Sequence, residues 1–309
     1  MRLYIAGING MVGSAVALEA HLQGLEVLGK GSKELDLTDR AAVFTELQTT
    51  KPDALIIAAA KVGGIGANSS QPVDFLSINL QIQTNLLDAA HSANIKKVLF
   101  LGAGCVYPKF APQPISESAL LTGDLEPTNE PFAIAKIAGL KLIEAYRRQF
   151  GYHWISAIPA NLYGPRDNFN LENAHVLPAL VHRFHNAKLQ GANSVRIWGD
   201  GTPLRDFLYI EDLARASLML IDKYDNSVAI NIGSSMEVST LDLATLIAKI
   251  VGFTGEIALD TNRPNGTPRK LLDSTRISQL GWHPQVSLEI GIAATYGWFL
   301  ANYQEGSLR

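Results

Sequence analysis

The chain has 309 residues, 47% of them apolar and 18% charged, enough to bury the core of one large α/β domain or two interlocked ones. A formal net charge of −3 offers no basic field to a nucleic-acid backbone or an anionic membrane, so neither is an expected partner and any anionic ligand must be met by local cations. The single cysteine, Cys105, excludes an intramolecular disulfide framework and a multi-cysteine zinc site, and with no His/Asp/Glu cluster at ligand spacing no metal is expected.

The N-terminal MRLYIAGING reads as a strand entering a glycine turn, without the charged-then-apolar layout of a signal peptide. No apolar run approaches the roughly 20 residues that span a bilayer, and a cytoplasmic protein is expected. The strand RLYIA runs into Gly7, Gly10 and Gly13, spaced G-x-x-G-x-x-G, and then into the helical SAVALEAHLQG. Glycines between a first strand and a first helix let the backbone turn tightly and approach a pyrophosphate at the helix N-terminus. A dinucleotide site is therefore expected, the bland alternative being a plain strand-to-helix turn. The second strand, LEVLG, is followed by Lys30, Gly31, Ser32 and Lys33, with no acid before Glu34. An acidic residue there would bind the ribose 2′-hydroxyl of NAD, whereas cations suit a 2′-phosphate, so NADP is favoured over NAD. Either lysine taken alone reads equally well as a solvated surface residue.

ALIIAAA, KVLFLGA and WISAIPANLYG are apolar throughout instead of alternating, and helical patterns separate them. Such runs suit strands covered on both faces, which predicts an α/β fold: a Rossmann-type, doubly wound parallel sheet. KVLFLGA runs on to Cys105, and residues just past the carboxyl ends of strands face the ligand crevice. Lys136 follows Phe132 by four residues on a helix expected to begin near Asn129, so both project from one face.

After Gly164 the rhythm changes to loops rich in Pro, Asn and Gly. DFLYIEDLARASLMLIDK reads as a strand and helix returning to the first domain, and AINIGSS as one more strand of it. The expected division is 1–164 with 206–233 for dinucleotide binding, and 165–205 with 234–309 as a smaller, interleaved C-terminal substrate domain. Its loops supply Arg183, Arg205 and Lys270, cations suited to a diphosphate, although any one Arg could be a surface ion pair. Trp198 offers a flat face for a base. Asn161 stands at a strand end near the expected cofactor, with a buried structural amide as the alternative. His153, His182, His185 and His283 have no comparable context and read as structural or surface residues.

GMVGSA at Gly10, AAAKVGGI at Ala58, CVYPK at Cys105, LEPTNEPFAIAKIAG at Leu125, NLYGP at Asn161, HVLPAL at His175, WGDGTPLRDF at Trp198 and NGTPRKLLD at Asn265 carry a resemblance over nearly the whole chain. Through them it resembles the extended short-chain dehydrogenase/reductase superfamily and, within it, the GDP-L-fucose synthase family. The resemblance implies 3,5-epimerisation of GDP-4-keto-6-deoxy-D-mannose followed by NADPH-dependent reduction at C4. It implies that Cys105 removes protons beside the ketone and His175 returns them on the opposite face, work suited to a thiol of lowered pKa and an imidazole titrating near neutrality. It further implies cofactor contacts from Gly7, Gly10, Met11, Val12, Gly13, Lys30, Asp36, Leu37, Ala58, Ala60, Lys136, Asn161 and His175, GDP contacts from Arg183, Trp198, Arg205 and Lys270, and a homodimer joined through helices near 71–91 and 129–150.

The chain departs from the family pattern. Asn9 and Ser32 stand where basic residues around the cofactor are usual, which weakens the preference for NADP. In the reductase step a Ser and a Tyr bond the carbonyl oxygen and a Lys lowers the Tyr pKa; Lys136 matches the Lys, but Ala103 and Phe132 stand at the other two positions. Losing a general acid costs typically ~10²–10⁴-fold and losing an oxyanion donor ~10²–10³-fold. Reduction should therefore be crippled, whether the chain shed it naturally or carries substitutions made to delete two hydroxyls, unless Tyr107 or Ser116 donates instead. Two other readings stay open: a catalytically silent nucleotide-binding sensor or scaffold, and an epimerase of another nucleotide 4-ketosugar. Retention of Cys105, His175 and Lys136 speaks against the scaffold.

Overall fold

A computed structural model describes residues 1–262 and 265–303. In the first half, β1 (Arg2–Ala6) leads into α1 (Met11–Leu22), β2 (Glu26–Leu28), α2 (Arg40–Thr50), β3 (Ala54–Ile57), α3 (Ile65–Ser70), α4 (Pro72–Ser92), β4 (Lys97–Leu101), α5 (Glu130–Phe150) and β5 (Ile155–Pro159). There follow β6 (Asn161–Tyr163), α6 (Val176–Leu189), β7 (Ser194–Trp198), β8 (Leu204–Tyr209), α7 (Ile210–Lys223) and β9 (Ile230–Ile232). The chain continues through β10 (Glu237–Ser239), α8 (Thr240–Val251), β11 (Glu256–Asp260), β12 (Arg269–Lys270), α9 (Thr275–Gln279) and α10 (Leu288–Asn302).

The larger sheet is parallel, in the order β2-β1-β3-β4-β5-β9. Its inner strands are apolar at successive positions because both faces are covered, and all four residues of β3 are buried. On one face Tyr4, Leu55 and Phe100 pack against Leu86 of α4 and Leu140 and Ile143 of α5. On the other, Leu3 and Ile5 meet Val16 and Ala20 of α1 and Leu213 and Leu220 of α7. Each Leu or Ile so buried contributes roughly 1.5–3 kcal/mol, so the two layers lock the sheet and the strand ends that carry the site. Strand order reverses around β1, which opens a crevice at the carboxyl ends of β1 and β3.

WISAIPANLYG is divided. β5 enters the larger sheet, the Ala160 amide donates to Ile232 O at 2.9 Å, and β6 then pairs with β8, beginning at Asn161 opposite Phe207. β8 corrects one expectation. DFLYI does not return to the larger sheet but forms the spine of the smaller one, flanked by β10, β12 and β6, while the helix after it, α7, packs on α1. Asp206, Phe207, Leu208 and Tyr209 are all buried, and burial alone does not say against which sheet. AINIGSS does supply β9 of the larger sheet. A third core, with Phe184, Leu180, Ile197, Ile247 and Phe299, lies beneath α6, β7, α8 and α10. Among the described residues no helix is long and apolar enough to cross a membrane.

Candidate active site

The glycine turn is shaped by contacts no other residue permits. Gly7 has φ +87°, and a Cβ on it would stand 2.9 Å from the backbone of Ala59, just past β3. A Cβ on Gly13 would overlap Gly7 O. Gly10 precedes α1, with its amide 3.0 Å from Gly7 O, and Met11 and Val12 open the helix. Backbone therefore stands bare at a helix N-terminus over the switch point of the sheet, the arrangement that accepts a dinucleotide pyrophosphate. Ala58 and Ala60 follow β3 and are half-buried. Further out, the Lys30 ammonium is 2.5 Å from Glu46, Asp36 accepts the Thr38 amide and hydroxyl, Leu37 O accepts the Asn85 side-chain amide, and Lys33 is exposed. Glu46 thus occupies the charge of Lys30.

Ala103, half-buried and extended, precedes a single 3-10 turn, Gly104–Val106, that carries Cys105 past the end of β4. α5 presents Phe132 and Lys136 one turn apart. Lys136 is 5% exposed; its Nζ donates to Leu101 O at 2.8 Å and lies 4.8 Å from the ring centre of Phe100 and 5.8 Å from that of Phe132. Burial lowers its pKa to about 8, partly offset by Cys105. Phe132 meets Phe75 of α4 edge-on, ring centres 6.4 Å apart. The thiol differs from expectation: burial pushes Cys105 above the ordinary thiol value, and the cations Lys270 and Lys136 only partly counter it. A thiolate formed there is scarcer but more basic, which still suits abstraction of a C–H proton.

His175 directly precedes α6, and its carbonyl accepts the Ala179 amide. The loop after β3 fixes its approach, for the Gly64 amide donates to Asn173 O at 2.9 Å. The His175 side chain is open to water yet so surrounded by protein that burial, followed by the charge of Lys270, depresses its pKa, as on the wall of a deep cleft. Lys270, at the end of β12, passes 3.8 Å from where a Cβ on Gly104 would stand. Its ammonium favours the Cys105 thiolate and disfavours the His175 imidazolium, so one cation acts on both groups.

Arg205 in β8 is half-buried, with Nη1 on Leu204 O and Nη2 near Gly266. The Arg183 guanidinium is 5.7 Å from the ring centre of Trp198, which is 47% exposed. The Asn161 amide donates to Asp206 O at 2.9 Å, a structural bond. The hydroxyls of the two substitute donors are engaged elsewhere, Tyr107 on Asn231 at 2.6 Å within the core and Ser116 on Ser118. His153 pairs with Asp225, His182 with Phe169 O and His185 with the Tyr296 hydroxyl, while His283 is exposed. Sequence reasoning passed over Glu126, 8% exposed among the cleft cations; its signal was an acid four residues before a helix, inside the LEPTNEPF motif.

Residues 3–233 match the family described as the NAD dependent epimerase/dehydratase family. The chain is 53% identical over 302 residues to GDP-L-fucose synthase 1 of Arabidopsis thaliana, covering 97% of this chain and 94% of the relative. It is 48% identical over 311 residues to the GDP-L-fucose synthase of Escherichia coli K12, covering 97% of each. Among solved structures it is similar to a GDP-6-OMe-4-keto-L-xylo-heptose reductase from C. jejuni, with a TM-score of 0.92, 32% identity and 98% of each chain covered. It is likewise similar to a GDP-L-fucose synthetase from Naegleria fowleri bound to NADP, with a TM-score of 0.89, 30% identity, and 98% and 94% coverage.

Proposed function

Because the chain belongs to the NAD dependent epimerase/dehydratase family and, within it, to the GDP-L-fucose synthases, we propose that it is an enzyme epimerising GDP-4-keto-6-deoxy-D-mannose at C3 and C5, with C4 reduction crippled. What supports this reading is that the charge of Lys270 reaches both Cys105 and His175, while Lys136 is retained and Ala103 and Phe132 stand in place of two hydroxyls.

The C4 carbonyl acidifies C3–H and C5–H. Cys105 takes the proton from one face, and His175, across the cleft, returns one to the other, which inverts the centre. Lys270 favours the thiolate before abstraction and keeps the His175 proton labile for delivery. Arg183 and Arg205 meet the diphosphate, and Trp198 stacks the guanine.

The glycine turn accommodates NADPH, which when bound supplies the hydride for C4. Lys136 would hold the nicotinamide ribose, but no phenol beside it would give the carbonyl oxygen a proton. With Lys30 paired to Glu46, the exposed Lys33 is the better cation for a 2′-phosphate. The exposed Val73, Ile134 and Phe150 on α4 and α5, which lie side by side, support a homodimer joined through these helices.

The test is incubation with GDP-4-keto-6-deoxymannose in D₂O, with and without NADPH. Deuterium at C3 and C5 with little C4 alcohol is expected. No exchange would favour a silent nucleotide-binding protein, exchange only with a different nucleotide ketosugar would move the substrate, and GDP-fucose at ordinary rates would refute the crippled reduction.

A further inference from the structure

Three segments converge on one carboxylate that the chemistry above does not use. Glu126, in the loop before α5, is 8% exposed, and its Oε2 is 3.0 Å from the Lys109 ammonium. Lys109 lies four residues beyond Cys105 on the same strand-exit loop. Oε1 accepts from the Thr128 amide at 3.4 Å and hydroxyl at 3.3 Å, at the entry to the helix that carries Phe132 and Lys136. Oε2 also receives the buried Thr267 hydroxyl, 3.4 Å away and 141 residues distant in sequence. Thr267 adjoins Gly266, over which the Arg205 guanidinium lies, and opens the short run into β12 and Lys270. The charge of Glu126 is felt at both Arg205 and Lys270.

A buried carboxylate is costly unless charged and hydrogen-bonding partners surround it, and here they come from both domains. Lys109 neutralises it, and the two threonines fix its direction. We propose that Glu126 is the positioning residue that assembles the cleft, joining the segments of Cys105, Lys136 and Lys270 so that the diphosphate cations stand ready before substrate arrives. The inference rests on the GDP-sugar reading for its ligand, but the tie itself has a readout without ligand. Cys105 is the single thiol and is nearly buried, so its alkylation reports the first segment directly.

Glu126→Ala should leave Lys109 unpaired and loosen that segment. The loosening exposes the buried thiol, and iodoacetamide should label Cys105 at least about fivefold faster, with GDP affinity about tenfold weaker by calorimetry. Thr267→Val keeps the charge pair and cuts only the tie to the Lys270 loop. It should weaken GDP by about threefold to fivefold with labelling unchanged within twofold. In Thr267→Val NADPH affinity, read by fluorescence, should stay within twofold, because the glycine turn and the helix of Lys136 are untouched.

Unchanged labelling in Glu126→Ala, or unchanged GDP affinity in both variants of a wild type that binds GDP, overturns the proposal. A parallel loss of NADPH affinity in Thr267→Val also overturns it, since a general loosening of the fold would do that. A wild type that binds no GDP, with labelling still accelerated in Glu126→Ala, sinks the GDP-sugar reading and supports the tie.

Discussion

Restoring the two missing hydroxyls should restore reduction, and the structure sets the size of the effect. Phe132 sits edge-on to Phe75, with the Lys136 ammonium 5.8 Å from its ring centre, so a tyrosine ring there would lie beside a cation held by Leu101 O. A unit charge about 6 Å away at an effective dielectric of ~20 is worth ~3 kcal/mol, enough to bring a phenol from about 10 toward about 8. Lys136 itself titrates at about 8, so phenol and ammonium would form a matched proton-donating pair. Phe132→Tyr should therefore raise single-turnover C4 reduction ~10²–10⁴-fold. Ala103→Ser alone should do less, because a hydrogen-bond donor without a proton source stabilises only part of the developing charge. The double variant should gain ~10³–10⁵-fold, below the product of the separate effects, since both hydroxyls act on one oxygen. Stopped-flow loss of NADPH absorbance with GDP-4-keto-6-deoxymannose measures the rate, and C3/C5 deuterium exchange should stay within about threefold. The reasoning fails if Phe132→Tyr is no faster than the starting chain, or if that chain already reduces C4 at tens of turnovers per second.

Lys270→Met removes the cation that lowers both the thiol and the imidazole, so the alkylation pH midpoint of Cys105 should rise, and a midpoint unchanged or lowered would separate Lys270 from the thiol. Gly13→Ala drives a methyl into Gly7 O, and NADPH affinity should fall by more than ~30-fold in fluorescence titration; retained affinity would show that the turn relaxes freely. Asp167 has one carboxylate oxygen buried without a partner, and burial raises its pKa to about 7. A folded pKa above the unfolded one means that stability is fully present below about pH 4 and is lost as pH rises to 7, by at most about 4 kcal/mol. Asp167→Asn should accordingly raise Tm at pH 8 and match the parent near pH 4, and equal Tm at both pH values would place that carboxylate in water.

Much of the fold was legible because its determinants are local. Uninterrupted apolar runs mark strands covered on both faces, Gly7 and Gly13 mark a turn that only glycine allows, and Phe132 with Lys136 obeys helical spacing whatever the rest of the chain does. DFLYI was misplaced because a short buried strand carries no label for its sheet; β6, β10 and β12, from three other parts of the chain, decide it. Residue types alone gave Cys105 a lowered pKa, but a pKa is set by everything within a few ångströms, and burial outweighs Lys136 and Lys270.

The sequence by itself determined the parallel sheet, the bare helix N-terminus, the thiol at a strand end and the absence of two hydroxyls, all of which depend on residue type and near neighbours. Only the tertiary structure decided that the charge of Lys270 would reach both Cys105 and His175, that Glu46 would claim Lys30, and that Glu126 would gather Lys109, Thr128 and Thr267. The Lys30–Glu46 pair spans 16 positions and the Glu126–Thr267 pair 141, and chain crossings fix such meetings, not any preference of the residues themselves.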